Sequence, residues 1–180
     1  MALTRLNTNA YGSTINLTSN VTGTLPAGNG GTGATSFAPG KILQVVQGAS
    51  ASSTTTTSSS FVATATEVDI TPSATSSKIF VLVTSGLFWS NDTDAGSGGG
   101  ATIYRDSTNI SPADNYMIRT HSVDDTNIQL GGASMSILDS PSSTSAITYK
   151  VYIKSIWSSA SMVWNSGSDY AIITAWELAV

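Results

Sequence analysis

No cysteine occurs anywhere in the chain, so neither a disulfide framework nor a thiolate metal site can hold it together. Charge is nearly as scarce. Asp, Glu, Lys and Arg make up 10% of the residues, against about 25% in ordinary globular chains. Exposed helix faces are normally covered by Glu, Lys and Arg, so this scarcity argues against a helical protein. It argues equally against the usual form of disorder, which combines low hydrophobicity with high net charge. Lys and Arg number 7, spaced singly along the chain, and the formal net charge is −4. No basic stripe is visible for phosphate neutralisation, and nucleic acid is not an expected partner. No apolar run approaches the roughly 20 residues that span a bilayer, so membrane insertion is not expected. Met1-Ala-Leu-Thr-Arg5 has no charged region leading into an apolar stretch, so no signal peptide is expected and synthesis is placed in a cytoplasm.

What the chain has in abundance is hydroxyl. Ser and Thr fill about 30% of its 180 positions, beside 40% hydrophobic residues and 16 glycines; both the hydroxyls and the scarce charge depart from ordinary usage. A β-rich protein whose solvent faces are covered by Ser, Thr and Asn fits that balance. The length allows one compact domain plus an extended segment.

Residues 1–40 differ from the rest. Leu3, Leu6, Ile15, Leu17, Val21 and Leu25 are single aliphatics among Asn, Thr, Gly and Ser. Their spacing matches neither a helix stripe nor a long alternating strand. The glycines between Pro26 and Pro39 weaken any regular element, and the two prolines forbid helix continuation. The stretch is expected to be an extended N-terminal arm and Gly-rich hinge that orders on a partner surface.

From residue 41 the texture is strand and turn. Lys41–Gln47, Phe61–Thr71, Lys78–Ser85, Ala101–Arg105, Asn127–Leu138, Ala146–Trp157, Ser161–Trp164 and Tyr170–Leu178 read as strands. Ala49–Ser60 is either a loop or a polar strand, Thr71–Ser77 a Pro-initiated turn, and Asn91–Gly100 a Gly-rich loop. Ile147, Tyr149, Val151 and Ile153 alternate with Thr148, Lys150 and Lys154, the period of a strand with one buried face; Tyr152 and Ile156 interrupt the polar side. The expected fold is all-β: an antiparallel, jelly-roll-like β-sandwich head over residues 41–180.

Two strands are apolar on both faces. Phe80 and Leu82 oppose Ile79, Val81 and Val83, and Ile173 opposes Ile172, Trp176 and Leu178. The outer faces of a two-sheet sandwich should be polar. Either loops shield the second face or another subunit covers it, and the arm's poverty in apolar residues favours an oligomer.

Chemistry-bearing motifs fail on context. Gly28-Asn-Gly-Gly-Thr-Gly33 satisfies the dinucleotide pattern but lacks the preceding strand and following helix that the pyrophosphate needs. Gly40-Lys41 mimics the end of a phosphate-binding loop, but Ile42 stands where Ser or Thr would hold magnesium. His121, the single histidine, lies near Asp124 and Asp125 with nothing to fix a metal geometry, and reads as a solvated loop residue. Asn91-Asp-Thr-Asp-Ala-Gly96 lacks the third acid and the distal Glu of a calcium loop. Without a nucleophile elbow or a carboxylate pair, no catalytic residue, cofactor or metal site is expected, and the protein is expected not to be an enzyme. The aromatics say more. Trp89, Trp157 and Trp164 lie near strand ends and Tyr104 and Tyr116 in or near loops. They serve either as glycan contacts, with Asp124 and Asp125 as hydrogen-bonding partners, or as core and interface filling. Trp176, in the last strand, is expected in the core.

Leu25-Pro-Ala-Gly-Asn-Gly-Gly-Thr-Gly33 resembles a segment recurrent in bacteriophage tail-fibre and related virion proteins. Gly40–Val46, Thr71–Ile79, Asp139–Lys150 and Ile173–Leu178 are similar to C-terminal modules of marine and cyanobacterial phage fibres, although Trp176 stands where Met is more usual. The resemblance implies a homotrimeric virion appendage on the tail or capsid surface. Its arm would dock on other virion proteins and its head would bind host-surface glycan through variable loops; no catalytic residues are shared by the family. With no shaft in the chain, it would be a short fibre, a tip mounted on another protein or a head-attached fibre; the expectation is a short tail fibre, the alternatives being a capsid-decorating head fibre and, from another class, a small glycan-degrading enzyme.

Overall fold

The computed structural model describes residues 42–90, 98–112, 115–121, 130–157, 161–166 and 169–180. The chain divides into two units, Met1–Pro39 and Gly40–Val180. The first, with Leu3, Leu6, Ile15, Leu17, Val21 and Leu25, lies outside the described residues, as do Asp124 and Asp125.

The second unit is a β-sandwich, with no α-helix among the described residues. Its strands are β1 (Ile42–Ser50), β2 (Thr54–Thr56), β3 (Val62–Ile70), β4 (Lys78–Ser90), β5 (Gly98–Arg105), β6 (Thr108–Asn109), β7 (Ile118–His121), β8 (Leu130–Asp139), β9 (Ile147–Ser155), β10 (Met162–Trp164) and β11 (Ala171–Leu178). All pairings are antiparallel. In the first sheet, β4 carries β8 on one edge. Its other edge pairs with β11 and then, past a bulge between Ser85 and Phe88, with β10; β1 and β2 extend the sheet beyond these. The second sheet runs β3–β9–β5, with β6 and β7 sharing the free edge of β5.

The core lies between the sheets, where period-2 patterning puts it. Ile147, Tyr149, Val151 and Ile153 of β9 are buried, as are Ile79, Val81 and Val83 of β4 and Ile173 and Ala175 of β11. Each such aliphatic contributes about 1.5–3 kcal/mol on leaving water. Buried polar side chains bridge the strands at several points among the described residues. Trp164, with no exposed surface, donates its Nε1–H to Thr66 Oγ1 at 2.9 Å, joining β10 to β3 across the core. Arg105 Nη1 donates to both oxygens of Asp139 at 2.9 and 2.8 Å, and Tyr149 Oη donates to Asp139 Oδ2 at 2.7 Å. That trio links β5 and β9 to the end of β8. Burial pushes the Tyr149 phenol well above its ordinary pKa, and the Asp139 acceptor adds to the rise, so it remains a donor.

Glu177 is the most buried carboxylate among the described residues, at 1% exposure. Ser73 donates from its backbone N–H (2.7 Å) and its hydroxyl (2.6 Å), Ser77 from its hydroxyl (2.6 Å) and Gln44 from Nε2 (2.7 Å). Burial alone would raise its pKa. The donors from Ser73, Ser77 and Gln44 outweigh that and hold it down at about 2. The Thr71–Ser77 turn, expected from Pro72, is thereby fastened to β11 and β1.

Several expectations need correction. Gly98–Gly100 belong to β5 and not to a loop, because strand pairing on both sides supplies order that glycine composition cannot signal. His121 ends β7, a strand whose Ile118-Arg-Thr-His121 carries too few apolar residues to show a period. Ala49–Ser60 holds both the end of β1 and the short polar strand β2. Trp176 is not core: it sits half-buried on the outer face of the first sheet, packed against Phe80 with ring centroids 5.5 Å apart.

Candidate functional site

The outer face of the second sheet concentrates aromatic rings and cations. Residues directly opposite across a ladder point to the same face, and here the register sets Arg119 of β7, Gly100 of β5 and Lys154 of β9 in one row. The outer two lie two strand spacings apart, about 10 Å. Gly100 makes the row possible. A Cβ there would come within 2.5 Å of Tyr116 Cβ, so only the missing side chain lets Tyr116 lie on the strand. One step along, a Cβ at Gly98 would reach 2.9 Å from the Trp157 ring, which rests on that glycine in the same way.

Each cation is held over a ring. Arg119 Cζ lies 5.9 Å from the Trp157 centroid, and Lys154 Nζ lies 4.5 Å from that of Phe61 and 5.6 Å from that of Tyr116. Cation–π attraction fixes both head groups at about 0.5–1 kcal/mol each in exposed settings. His121 packs on Trp157 with centroids 4.8 Å apart. Further along β9, Tyr152 stacks on Tyr104 at 3.9 Å, and Phe61 meets Tyr104 edge-on at 5.8 Å. Lys150 closes the strip in an ion pair with Glu67, whose hydrogen bond raises the lysine pKa. Lys154 and Arg119 have no such partner: among the described residues the ion pairs are Arg105–Asp139 and Lys150–Glu67.

Of the aromatics weighed as glycan contacts, the structure brings Tyr104, Tyr116 and Trp157 to this face. Trp157, at 37% exposure, is open to solvent. Trp164 must be corrected: with no exposed surface and its indole N–H bonded to Thr66, it can stack on no ligand. Trp89 lies on the outer face of the other sheet, opposite Val163 and Leu130, with its buried Nε1 unpartnered. Asp124 and Asp125 lie outside the described residues. Phe61, Tyr152, Arg119 and Lys154 were not singled out. Their signal was faint: Tyr152 breaking the polar face of β9 was the one visible mark, and the cations spaced singly in sequence become neighbours only through strand pairing.

The other outer face has a different character. Val45, Trp176, Phe80 and Leu138 stand directly opposite one another across β1, β11, β4 and β8. Val45 and Leu138 are 53% and 50% exposed, and Ile172, Leu43 and Ile42 add further open apolar surface. Lys78 is the one charged side chain on this face of the four strands among the described residues. No group of three or more His, Cys, Asp or Glu able to hold a metal occurs among the described residues. No protein-family model matches the chain, and no curated protein matches it.

Proposed function

We propose that this chain is a non-enzymatic structural protein of a bacteriophage virion, a short fibre whose sandwich forms a homotrimer and binds host-surface glycan. The supporting observation is the apolar row Val45–Trp176–Phe80–Leu138 on an outer sheet face that bears one charge among the described residues. Monomeric proteins rarely leave such contiguous apolar area open. Sister copies cover it without like-charge repulsion. Trimeric display then multiplies weak glycan contacts on the other sheet into useful avidity. Residues 1–40, whose Leu25–Gly33 segment resembles one in phage fibres, dock the assembly on the particle.

Gold-labelled antibody against the sandwich, applied to phage particles encoding this chain, tests the reading. Label at the tail is expected; label over the capsid assigns the chain to the head-fibre alternative, and particles without label overturn the virion role. Deletion of residues 1–40 is expected to leave a folded trimeric sandwich that no longer joins the particle.

A further inference from the structure

We propose that the outer face of β5, β7 and β9 binds an acidic saccharide, its carboxylate or sulfate held between Arg119 and Lys154 and its rings resting on Trp157 and Tyr116. This deepens the glycan reading above and rests on it. The charge distribution carries the choice of ligand. The chain is acidic overall, at −4, yet three of its 7 Lys and Arg, with its single His, occupy this one face. Lys150 is neutralised by Glu67. Asp69 accepts the Thr148 hydroxyl at the opposite end of β9 from Lys154. Arg119 and Lys154 are thus left as cations with rings, and no carboxylate, beside them among the described residues.

The rings supply what a sugar needs besides charge. Trp157 and Tyr116 pack closely over strand glycines and so offer ring surface that is already held in place, at low ordering cost. Sugar C–H faces stack on such rings while the guanidinium takes a carboxylate bidentately and the ammonium meets it as a point charge. Single-stranded nucleic acid also favours rings and cations. The net negative charge and the small number of cations argue against it, because that affinity grows with phosphates neutralised.

Titration calorimetry of the full chain against four probes tests the proposal: hexagalacturonate, a heparin-derived hexasaccharide, neutral cellohexaose and a thymidine hexanucleotide. Binding to at least one acidic hexasaccharide is expected about tenfold or more tighter than to cellohexaose and to the hexanucleotide, and weakening with added salt. Arg119→Gln and Lys154→Gln are each expected to weaken it about tenfold with circular dichroism and mass unchanged. Trp157→Ala removes the stacking ring together with the ring over which Arg119 is held, and is expected to weaken acidic binding about tenfold or more. Equal or tighter binding of cellohexaose, lost in Trp157→Ala, would overturn the acidic preference while leaving the glycan reading intact. Tighter binding of the hexanucleotide would overturn the proposal in favour of nucleic acid. Silence with every saccharide, or acidic binding indifferent to both Gln variants, would also overturn it, and silence would take the glycan reading with it.

Discussion

The two outer faces of this sandwich share one core and one hydroxyl-rich composition, yet they present opposite chemistry. Across β1, β11, β4 and β8 the surface is aliphatic and aromatic, with Ser, Thr and Gln between the apolar residues. Across β9, β5 and β7 it is aromatic and cationic, with each cation held over a ring or against a carboxylate. An apolar face with a single charge among the described residues suits burial against copies of itself. A face of oriented cations and half-exposed rings suits a polar ligand that arrives and leaves. Strand alternation alone separates the two roles: every second residue of β4 or β9 goes to the shared core, and the remainder are free to specialise.

Adjacent residues of β4 give the sharpest way to break this contrast. Phe80→Asp puts a charge in the middle of the apolar row of every copy. It is expected to convert the proposed oligomer to single chains and to cost more than about 3 kcal/mol per copy within that assembly, read by light scattering and by concentration-dependent melting. Ile79→Ala, one residue away but facing inward, is expected to cost about 2–5 kcal/mol at every concentration with the mass unchanged. If the two variants behave alike, the faces are not distinct.

Glu177→Gln acts at the shared interior and is expected to cost roughly 1–3 kcal/mol, because the carboxamide brings an N–H₂ among the Ser73, Ser77 and Gln44 donors. Its pH dependence has a definite sign. The folded-state pKa, about 2, lies below the ordinary 4.5, so this contribution is complete above about pH 4.5 and fades as pH falls toward 2. Melting temperatures of parent and variant are expected to differ most above pH 4.5 and to converge in acid; a constant gap would contradict that. The smallest effect belongs to Glu67→Ala. The Lys150–Glu67 pair is partly exposed, so its loss is expected to cost under about 1 kcal/mol and to leave the oligomer intact.

Much of the sandwich was legible in the sequence because one-sided burial writes itself as alternation. β9 shows it in full, and the double apolarity of β4 marked Phe80 and Leu82 as residues with a second face to hide. The short strands were invisible for a physical reason: β2 and β7 are polar, and their order comes from pairing with longer neighbours. The candidate site was less legible still. Trp157 and Tyr116 could be picked out as large rings near turns, but so could Trp164, which proved to fill the core. Nothing local distinguishes them. What does is the register that places Gly98 and Gly100 beneath two of those rings, and that register joins residues about 20 and 55 positions apart. The glycines of that segment read as a loop until their role as floor for the aromatics is seen.

Light scattering on the full chain at micromolar concentration tests the covered apolar face most directly. A particle of three times 18.5 kDa is expected. A stable, monodisperse species of 18.5 kDa would show that Val45, Phe80, Leu138 and Trp176 stay open to water, and the subunit packing proposed for that face would be wrong.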